Sequence, residues 1–301
     1  MKKMANIVFI GGTGRCGTNI MKDILTLHSK VASHPFEYRF IIDPDGIIDF
    51  YTTAIHCWSP YIINKKIHRL ENFLMNLTRN KIKQIYMGWE LEKHLPNYEK
   101  KCEELINRLI DFKYSGFFYG LKEKSEIYFM NYKSQLELKV ILGDFIRNII
   151  NEYLQTVDKK IYVEDNTHNI LFSQKILELL PEAKIICMTR SPKDVISSLS
   201  KTRWAPNDKI KAALWFKSIM ERWNEIKNTL PSESYLIIDL YELIDDTKRV
   251  LKEICDFIEI KYEDKMLTMD LSKSNRDRWI KDLSPYEILE IEKIINNIKP
   301  D

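Results

Sequence analysis

The stretch Gly11-Gly12-Thr13-Gly14-Arg15-Cys16-Gly17-Thr18-Asn19 decides the fold of this chain. Four of the nine glycines fall within residues 11–17, and such crowding needs a local backbone reason. Residues 6–10 (NIVFI) have the pattern of a short buried strand, and the residues from Asn19 onward place apolar side chains at helical spacing. A strand, a glycine-rich loop and a helix in this order predict an anion site, because the loop amides and the helix N-terminus face the same point.

The alternation of strands and helices continues in the second half of the chain. Apolar runs predict three further strands, at 161–164, 184–189 and 235–240. Ser191 and Pro192 have the N-cap and first-turn pattern of a helix start, and Ser284 with Glu287 has the spacing of a capping box. This order of elements predicts an α/β fold with a mostly parallel sheet flanked by helices, of the P-loop-like nucleotide-binding class.

Residues 55–160 have a different pattern. Short apolar stretches recur there at helical spacing among many Lys and Glu residues, which predicts a helical insertion. No repeat or low-complexity linker separates this part from the rest of the chain. We therefore expect residues 1–301 to form a single domain in which residues 55–160 are a cap.

Composition excludes several classes of protein. The 46 Lys and Arg residues against 43 Asp and Glu residues give a net charge of +3, which argues against a nucleic-acid partner. The five cysteines are scattered without a CxxC pair, so structural zinc and a disulfide framework are disfavoured and reduced thiols are expected.

Hydropathy argues against a membrane partner. No apolar run reaches the ~18 residues of a membrane span. The N-terminus leads into only the apolar run Ile7–Ile10, which is shorter than the roughly 7–15 apolar residues of a secretory signal. We expect a soluble protein, cytoplasmic if its source is bacterial.

The loop is compatible with more than one phosphate chemistry. Gly12 and Gly17 have the spacing of a triphosphatase P-loop, G-x-x-x-x-G-K-[ST], but Thr18 stands where that motif has Lys and the cation is Arg15 inside the loop. A P-loop-type kinase for a small molecule is therefore an alternative hypothesis and not the preferred one. A dinucleotide-binding GxGxxG also matches, although Pro35 disfavours the central strand that this class requires next.

The same loop resembles that of the sulfotransferase family that uses 3′-phosphoadenosine 5′-phosphosulfate (PAPS), in which many members carry G-x-P-R-S-G-T-T after the first strand. This sequence departs from that pattern at Gly14, Cys16 and Asn19. The resemblance implies that the loop holds the 5′-phosphosulfate through Gly12, Thr13, Gly14, Arg15, Cys16, Gly17, Thr18 and Asn19.

Residues 189–198 (TRSPKDVISS) are similar to the 3′-phosphate motif of that family, R-x-P-x-D-x-x-x-S. Arg190 and Ser198 fall on its two phosphate-binding positions, and a guanidinium offers a bidentate fork for a phosphate. Two further segments resemble the family: Tyr241-Glu242-Leu243 is similar to Y-E-x-L near the adenine, and residues 272–284 are similar to the C-terminal segment that closes over the nucleotide. The latter segment adds the candidates Ser274, Arg278 and Trp279.

The acceptor side is indicated by two segments. In tyrosylprotein sulfotransferases and relatives with the Arg-type loop, a Glu with Arg two residues later supplies the base, and Glu37 with Arg39 matches that pair. His28 and His34 are rival bases, of which His28 lies on the apolar face of the first predicted helix.

Residues 164–169 (EDNTHN) resemble the family's E-K-T-P-x-N segment. Asp165 stands where that pattern has Lys, so the expected cation is missing, and Asp165 and His168 become candidates for binding an acceptor hydroxyl or amine. Cys16 is placed at a helix N-terminus, which favours a thiolate, but no nucleophilic triad is evident around it.

The resemblance implies a PAPS-dependent sulfotransferase that moves a sulfuryl group to a small-molecule, carbohydrate or peptide acceptor and releases adenosine 3′,5′-bisphosphate, without a metal. Arg15 and Glu37 are the expected catalytic residues, and residues 55–160 are expected to build the acceptor site. The alternatives are the small-molecule kinase and a non-catalytic nucleotide-binding protein of the same fold.

Overall fold

The computed structural model describes residues 6–78, 90–117, 122–272 and 275–298 of the 301-residue chain. The chain divides into two units. The first comprises Met1–Ser33, Lys159–Gln174 and Glu182–Asp301, and the second comprises His34–Asp158 and Lys175–Pro181. Strands and helices are numbered below along the whole chain.

A sheet of five parallel strands forms the centre of the first unit. Its strands are β1 (Asn6–Gly12), β2 (Val31–Ala32), β5 (Ile161–Asp165), β6 (Lys184–Thr189) and β7 (Tyr235–Asp239), and their order is β2-β5-β1-β6-β7. Successive residues of β5 are all buried, as expected for a sheet that is covered on both faces. The α/β fold with a mostly parallel sheet is therefore confirmed.

The parallel strands pair in a register that places their carboxyl ends at one edge of the sheet. Ile10 of β1 lies opposite Asp165 of β5, and Gly12 lies opposite Met188 of β6. Thr189 in turn lies opposite Asp239 of β7. The glycine-rich loop that follows Gly12 therefore begins between the ends of β5 and β6.

Helices flank this sheet. They are α1 (Thr18–Thr26), α7 (Pro192–Leu199), α8 (Lys209–Lys227), α9 (Leu240–Asp245), α10 (Thr247–Phe257), α11 (Trp279–Asp282) and α12 (Pro285–Asn296), while α6 (Ser173–Leu179) has residues in both units. The core packs strand residues such as Val8 and Ile186 against helix residues such as Ile24, Phe216 and Ile254.

Several boundaries follow the sequence pattern closely. Strand β6 has the predicted bounds, since a buried parallel strand reads as an uninterrupted apolar run. Ser191 occupies the N-cap position of α7 with Pro192 in its first turn. At α12, Ser284 and Glu287 form both hydrogen bonds of a capping box.

The described residues of the second unit form four α-helices of ten or more residues and one hairpin. The helices are α2 (Ile47–His56), α3 (Pro60–Asn76), α4 (Tyr98–Leu109) and α5 (Gln135–Thr156). Strands β3 (Phe112–Phe117) and β4 (Lys124–Phe129) pair antiparallel, so residues 112–117 and 124–129 differ from the helical pattern expected for residues 55–160. Within the described ranges, no helix combines the length and apolar character needed to cross a membrane.

Candidate active site

The glycine-rich loop turns sharply between β1 and α1. Gly14, Arg15 and Gly17 all have positive φ angles, of 82°, 57° and 100°. Gly17 is the N-cap of α1, and a Cβ atom there would lie 2.8 Å from Cδ1 of Leu240. Both its backbone angle and its close neighbour therefore require glycine at position 17.

Cys16 fills the space that Gly12 leaves open. A Cβ atom on Gly12 would lie 2.4 Å from Sγ of Cys16 and 2.6 Å from the carbonyl oxygen of Met188. Burial raises the pKa of the Cys16 thiol above its usual value, although hydrogen bonds from Thr13 and neighbouring amides act in the opposite direction. The position of Cys16 before a helix favours a thiolate, but its burial opposes the charged form. Cys16 is therefore a packed side chain.

The loop also packs against the segment that follows β5. Asn169 donates from Nδ2 to the carbonyl oxygen of Ile10 at 2.9 Å. A Cβ atom on Gly14 would lie 3.3 Å from Cγ2 of Thr167 and 2.7 Å from the ring of Trp204. The loop is thereby held between β1, the 3₁₀ helix Thr167–Phe172 and Trp204.

The first turn of α1 carries two of the predicted ligands. Thr18 is buried and donates a hydrogen bond to Oδ1 of Asn19 at 3.3 Å, whereas Asn19 is exposed. Thr13, inside the loop, is buried. The backbone amides of the loop and this first turn are the groups that a phosphate would meet.

Arg15 and Ser198 come together although they belong to different motifs. Nε of Arg15 donates to Oγ of Ser198 at 2.9 Å, which joins the loop to α7. Arg15 is exposed, so its guanidinium remains accessible to an anion.

Arg190 connects four of the predicted segments. From the end of β6 it donates to the carbonyl oxygen of Arg15 at 3.2 Å, to the hydroxyl of Tyr241 at 3.2 Å and to the carbonyl oxygen of Asn275 at 2.9 Å. Its side chain is only 8% exposed. Tyr241 is placed by the cap of α9, where Asp239 accepts from its amide at 2.8 Å.

Asp194 lies beneath this arrangement and was not among the residues predicted for the site. Its buried carboxylate accepts from the Tyr241 hydroxyl and from the amides of Asp277 (3.2 Å) and Trp279 (3.4 Å), and lies 3.7 Å from Nη2 of Arg190. Burial and the bond to Asp194 raise the pKa of Tyr241, which keeps it a hydrogen-bond donor. The sequence signal that could have revealed Asp194 is the aspartate of the R-x-P-x-D pattern.

The C-terminal segment contributes side chains in different ways. Trp279 is covered by the ammonium of Lys193 at 4.4 Å from its ring centre. Arg278 is exposed and lies 3.4 Å from Asp282, while Ser274 lies outside the described residues.

Arg276 was also missed by the sequence argument. Its guanidinium lies 4.2 Å from the ring centre of Tyr241, and it forms two hydrogen bonds to Asp245, at 2.9 and 2.7 Å. It therefore fastens the C-terminal segment to α9 and covers one face of Tyr241. No sequence motif quoted above contains this residue as a fixed position.

The end of β5 and the segment that follows it place Asp165 and His168 at the same edge of the sheet. Asp165 is buried, and its Oδ2 atom lies 3.2 Å from Nζ of Lys22 on α1. His168 is half-buried, with its amide bound to Oδ1 of Asn166 and its ring 6.5 Å from that of Trp215.

Glu37 and Arg39 belong to the second unit and form an ion pair there. Nη1 of Arg39 donates to Oε2 of Glu37 at 3.0 Å, while Nε donates to buried Asp43 at 2.7 Å. Both members of the predicted pair are half-buried. Arg39 thus holds Glu37 on one side and is itself held by Asp43.

The rival histidines have other roles in the structure. His34 is buried, with Nδ1 against the main chain of Phe36, and burial lowers its pKa to about 4. His28, in the first unit, is buried with Nε2 at 2.8 Å from the carbonyl oxygen of Lys261. His28 is therefore a packed residue, although it lies beyond the end of α1 at Thr26 and not on the helix face expected from the sequence.

The described residues fit a nucleotide that carries two phosphate groups. Arg15 and Arg190 lie in contact at the carboxyl edge of the sheet, and their hydrogen-bond partners there are mostly uncharged oxygens. Guanidinium groups favour binding of anions, and the turned loop presents backbone amides to the same anions. Among the described residues, no group of three or more His, Cys, Asp or Glu side chains is arranged to hold a metal ion.

Comparison with known proteins defines the class. The sequence model described as "Sulfotransferase family" matches residues 7–264, which is most of the chain. The chain therefore belongs to the sulfotransferase family. A comparison with curated proteins gave no match.

Solved structures agree with this fold. The sulfotransferase domain of the olefin synthase from Synechococcus PCC 7002 has 16% identity and a TM-score of 0.51, over all of this chain and 98% of that one. The sulfotransferase domain from the curacin biosynthetic pathway has 14% identity and a TM-score of 0.50, over 100% and 99%. Sulfotransferase STF9 from Mycobacterium avium has 11% identity and a TM-score of 0.50, over 98% and 76%. At these identities the likeness is one of fold.

Proposed function

We propose that the carboxyl edge of the five-stranded sheet is the donor site and that the enzyme transfers the sulfuryl group of PAPS to a hydroxyl or amine. The observation that carries this proposal is the position of Arg190. One guanidinium contacts the glycine-rich loop, Tyr241 and Asn275 at the same time, so the three segments that resemble donor-binding motifs meet at one side chain.

The two phosphates of the donor are assigned to different parts of this site. Arg190 and Ser198 bind the 3′-phosphate, and the loop from Gly12 to Asn19 binds the 5′-phosphosulfate. Arg15 stabilises the negative charge that develops on the leaving phosphate, because a guanidinium placed before the reaction needs no reorganisation during it. Its hydrogen bond to Ser198 supports this assignment by keeping the two phosphate subsites in contact.

The nucleoside is assigned to the region around Tyr241, together with Ser274, Arg278 and Trp279. Tyr241 supports this role because its hydroxyl is fixed between Arg190 and Asp194. Arg276 and Arg190 both lie over this ring, with Cζ at 4.2 and 5.7 Å from its centre, so Tyr241 is surrounded by positive charge that favours a phosphate-bearing ligand.

On the acceptor side we assign the base to Glu37 and acceptor contacts to Arg39, Asp165 and His168, with residues 55–160 as the cap. PAPS supplies the sulfuryl group, and the bond between sulfur and the bridging oxygen breaks as the acceptor oxygen or nitrogen bonds to sulfur. The electron pair stays on adenosine 3′,5′-bisphosphate, and the acceptor proton passes to Glu37. The low pKa of His34, about 4, supports Glu37 because such an imidazole is a weak proton acceptor.

We further propose that transfer is direct and needs no metal, and that the acceptor is a small molecule, a carbohydrate or a peptide. Arg15 and Arg190 support this, since their guanidinium groups supply positive charge that a metal would otherwise provide. The five free cysteines fit a reducing compartment, and we propose the cytoplasm.

Nucleotide preference tests the donor site. A ligand that binds only the native state stabilises it by about 2.7 kcal/mol at a hundredfold excess over Kd. We expect a larger thermal shift with adenosine 3′,5′-bisphosphate than with ATP and Mg²⁺, and transfer of label from ³⁵S-labelled PAPS to members of an acceptor panel with or without EDTA. A larger shift with ATP and Mg²⁺, or transfer that EDTA abolishes, would contradict the proposal.

A further inference from the structure

An ion pair links α1 to the end of β5 beside the donor loop. Nζ of Lys22 lies 3.2 Å from Oδ2 of Asp165. The carboxylate is 7% exposed and the lysine side chain 23% exposed, so the pair has a buried negative end and a more accessible positive end. The next nearest carboxylate to Lys22 is Asp23, at 3.8 Å and 54% exposed.

The position of Lys22 on its helix directs it toward the loop. Lys22 lies four residues after Thr18, so both residues share one face of α1. Side chains on a helix lean toward its N-terminus, which here is the end that carries the loop. The ammonium therefore extends from the second turn of α1 toward the first.

The position of Asp165 also places the ammonium of Lys22 at the edge of the sheet that carries the loop. Asp165 is the last residue of β5 and lies opposite Ile10, two residues before the loop begins. Two residues further on, Thr167 packs against Gly14. The pair thus occupies the corner between α1, the end of β5 and the donor loop.

Residue 165 does not itself supply a cation at this corner. The E-K-T-P-x-N pattern that residues 164–169 resemble has Lys where this chain has Asp165. The structure brings a lysine to that carboxylate from α1 instead. A carboxylate alone at this edge would repel a sulfate-bearing ligand, whereas the pair presents an ammonium with hydrogen-bond donors beyond the one directed at Asp165.

We propose that Lys22 is a further catalytic residue that contacts the sulfuryl end of the donor, and that Asp165 is the positioning residue that holds it. This inference rests on the proposed donor site and replaces a direct acceptor contact of Asp165. Lys22 stabilises the charge on the oxygens around sulfur while the bond from sulfur to the bridging oxygen breaks and the bond to the acceptor forms; its own protons stay in place.

The decisive experiment compares two double variants that differ by one cation. Lys22→Met with Asp165→Asn removes both charges and leaves no buried carboxylate without its partner. Lys22→Met with Asp165→Lys returns an ammonium to the corner from β5. Calorimetry without acceptor gives the Kd of each protein for PAPS and for adenosine 3′,5′-bisphosphate, and turnover is measured separately with an acceptor found active with the wild type.

We expect the first variant to bind PAPS about tenfold more weakly, the loss that removal of one charge-assisted hydrogen bond brings. Its Kd for the bisphosphate, which has no sulfuryl group, should stay within about twofold of wild type, since Lys22 is not assigned to a phosphate. The second variant should recover most of the PAPS affinity and part of the turnover. Asp23→Asn, which alters an exposed neighbour, should behave as wild type.

Three results would overturn the inference. They are unchanged PAPS affinity in the first variant, an equal loss of PAPS and bisphosphate affinity, and a second variant no better than the first. A wild-type protein that binds neither nucleotide would instead refute the proposed donor site, so the two failures are distinguishable.

Discussion

Arg190 donates a hydrogen bond from Nη1 to the carbonyl oxygen of Arg15 at 3.2 Å, although the two arginines are 175 residues apart in the sequence. This contact brings a cationic side chain against the main chain of the glycine-rich loop, where a nearby carboxylate or anion offsets its charge. Asp194, at 3.7 Å from Arg190, supplies one such charge. A bound phosphate would supply more negative charge close to Arg190.

Arg190→Ala should weaken binding of adenosine 3′,5′-bisphosphate by about a hundredfold, because a phosphate loses two charge-assisted hydrogen bonds. Titration calorimetry measures the effect directly. Arg222→Ala is the matched control, since Arg222 on α8 is 59% exposed and pairs with Glu225. Normal bisphosphate binding by Arg190→Ala would contradict the site assignment.

Asp194→Ala should destabilise the protein by about 3 kcal/mol, because the buried Arg190 loses its carboxylate and two amides of the C-terminal segment lose their acceptor. Asp194→Asn retains an acceptor and should lose less. Urea unfolding measures both variants, and limited proteolysis should cut residues 275–279 faster in Asp194→Ala. Equal stability and equal cleavage in wild type and Asp194→Ala would show that the segment is held by other contacts.

Glu37→Gln should lower turnover by about 10²–10⁴-fold, the typical contribution of a positioned general base. Its affinity for adenosine 3′,5′-bisphosphate should not change, because Glu37 is assigned to the acceptor rather than the donor. Single-turnover rates and calorimetry separate the two effects. His34→Ala is the comparison: if it abolishes turnover while Glu37→Gln retains most of it, the base is the histidine.

Stability should decrease as pH falls from about 6.5 to about 4, by about 3 kcal/mol from His34 alone. Burial lowers the pKa of His34 to about 4, so below pH 6.5 the unfolded chain takes up a proton that the native protein does not. This contribution is fully present above pH 6.5 and is lost as the pH falls to about 4.

Urea unfolding at a series of pH values tests the His34 effect. His34→Asn should flatten the slope between pH 6.5 and 4, whatever its effect on overall stability. Tyr153→Phe is the control, since Tyr153 packs on the His34 ring at 5.1 Å and its replacement leaves the imidazole in place. The same slope in wild type and His34→Asn would exclude His34 as its source.

The parts of the fold that were predictable are those with a strong local pattern. The buried strand β6 reads as one apolar run, and the start of α12 has a capping box, so both follow from neighbouring residues alone. The hairpin β3–β4 did not follow, because Lys113, Ser115 and Lys124 interrupt its apolar residues and most of β3 is exposed. Its pairing joins residues as far apart as Phe112 and Phe129, beyond the reach of a local pattern.

The candidate site likewise contains residues that the sequence predicts and contacts that it does not. Arg15, Arg190, Ser198 and Tyr241 stand in recognisable motifs, and the structure brings them together. The contact of Lys22 with Asp165 had no motif to reveal it, since the two residues lie on elements far apart in sequence. Such contacts depend on the register of β1 with β5, which no local pattern specifies.

The pairing of Asn6 with Ile161 also determines when the loop can acquire its native form during synthesis. Residues 11–19 are synthesised well before their packing neighbours Ile170, Met188, Ser198 and Leu240. Long-range pairing of this kind slows folding, since the chain between must be ordered before the contact forms. The loop therefore cannot reach its native surroundings until the chain as far as Leu240 has been made.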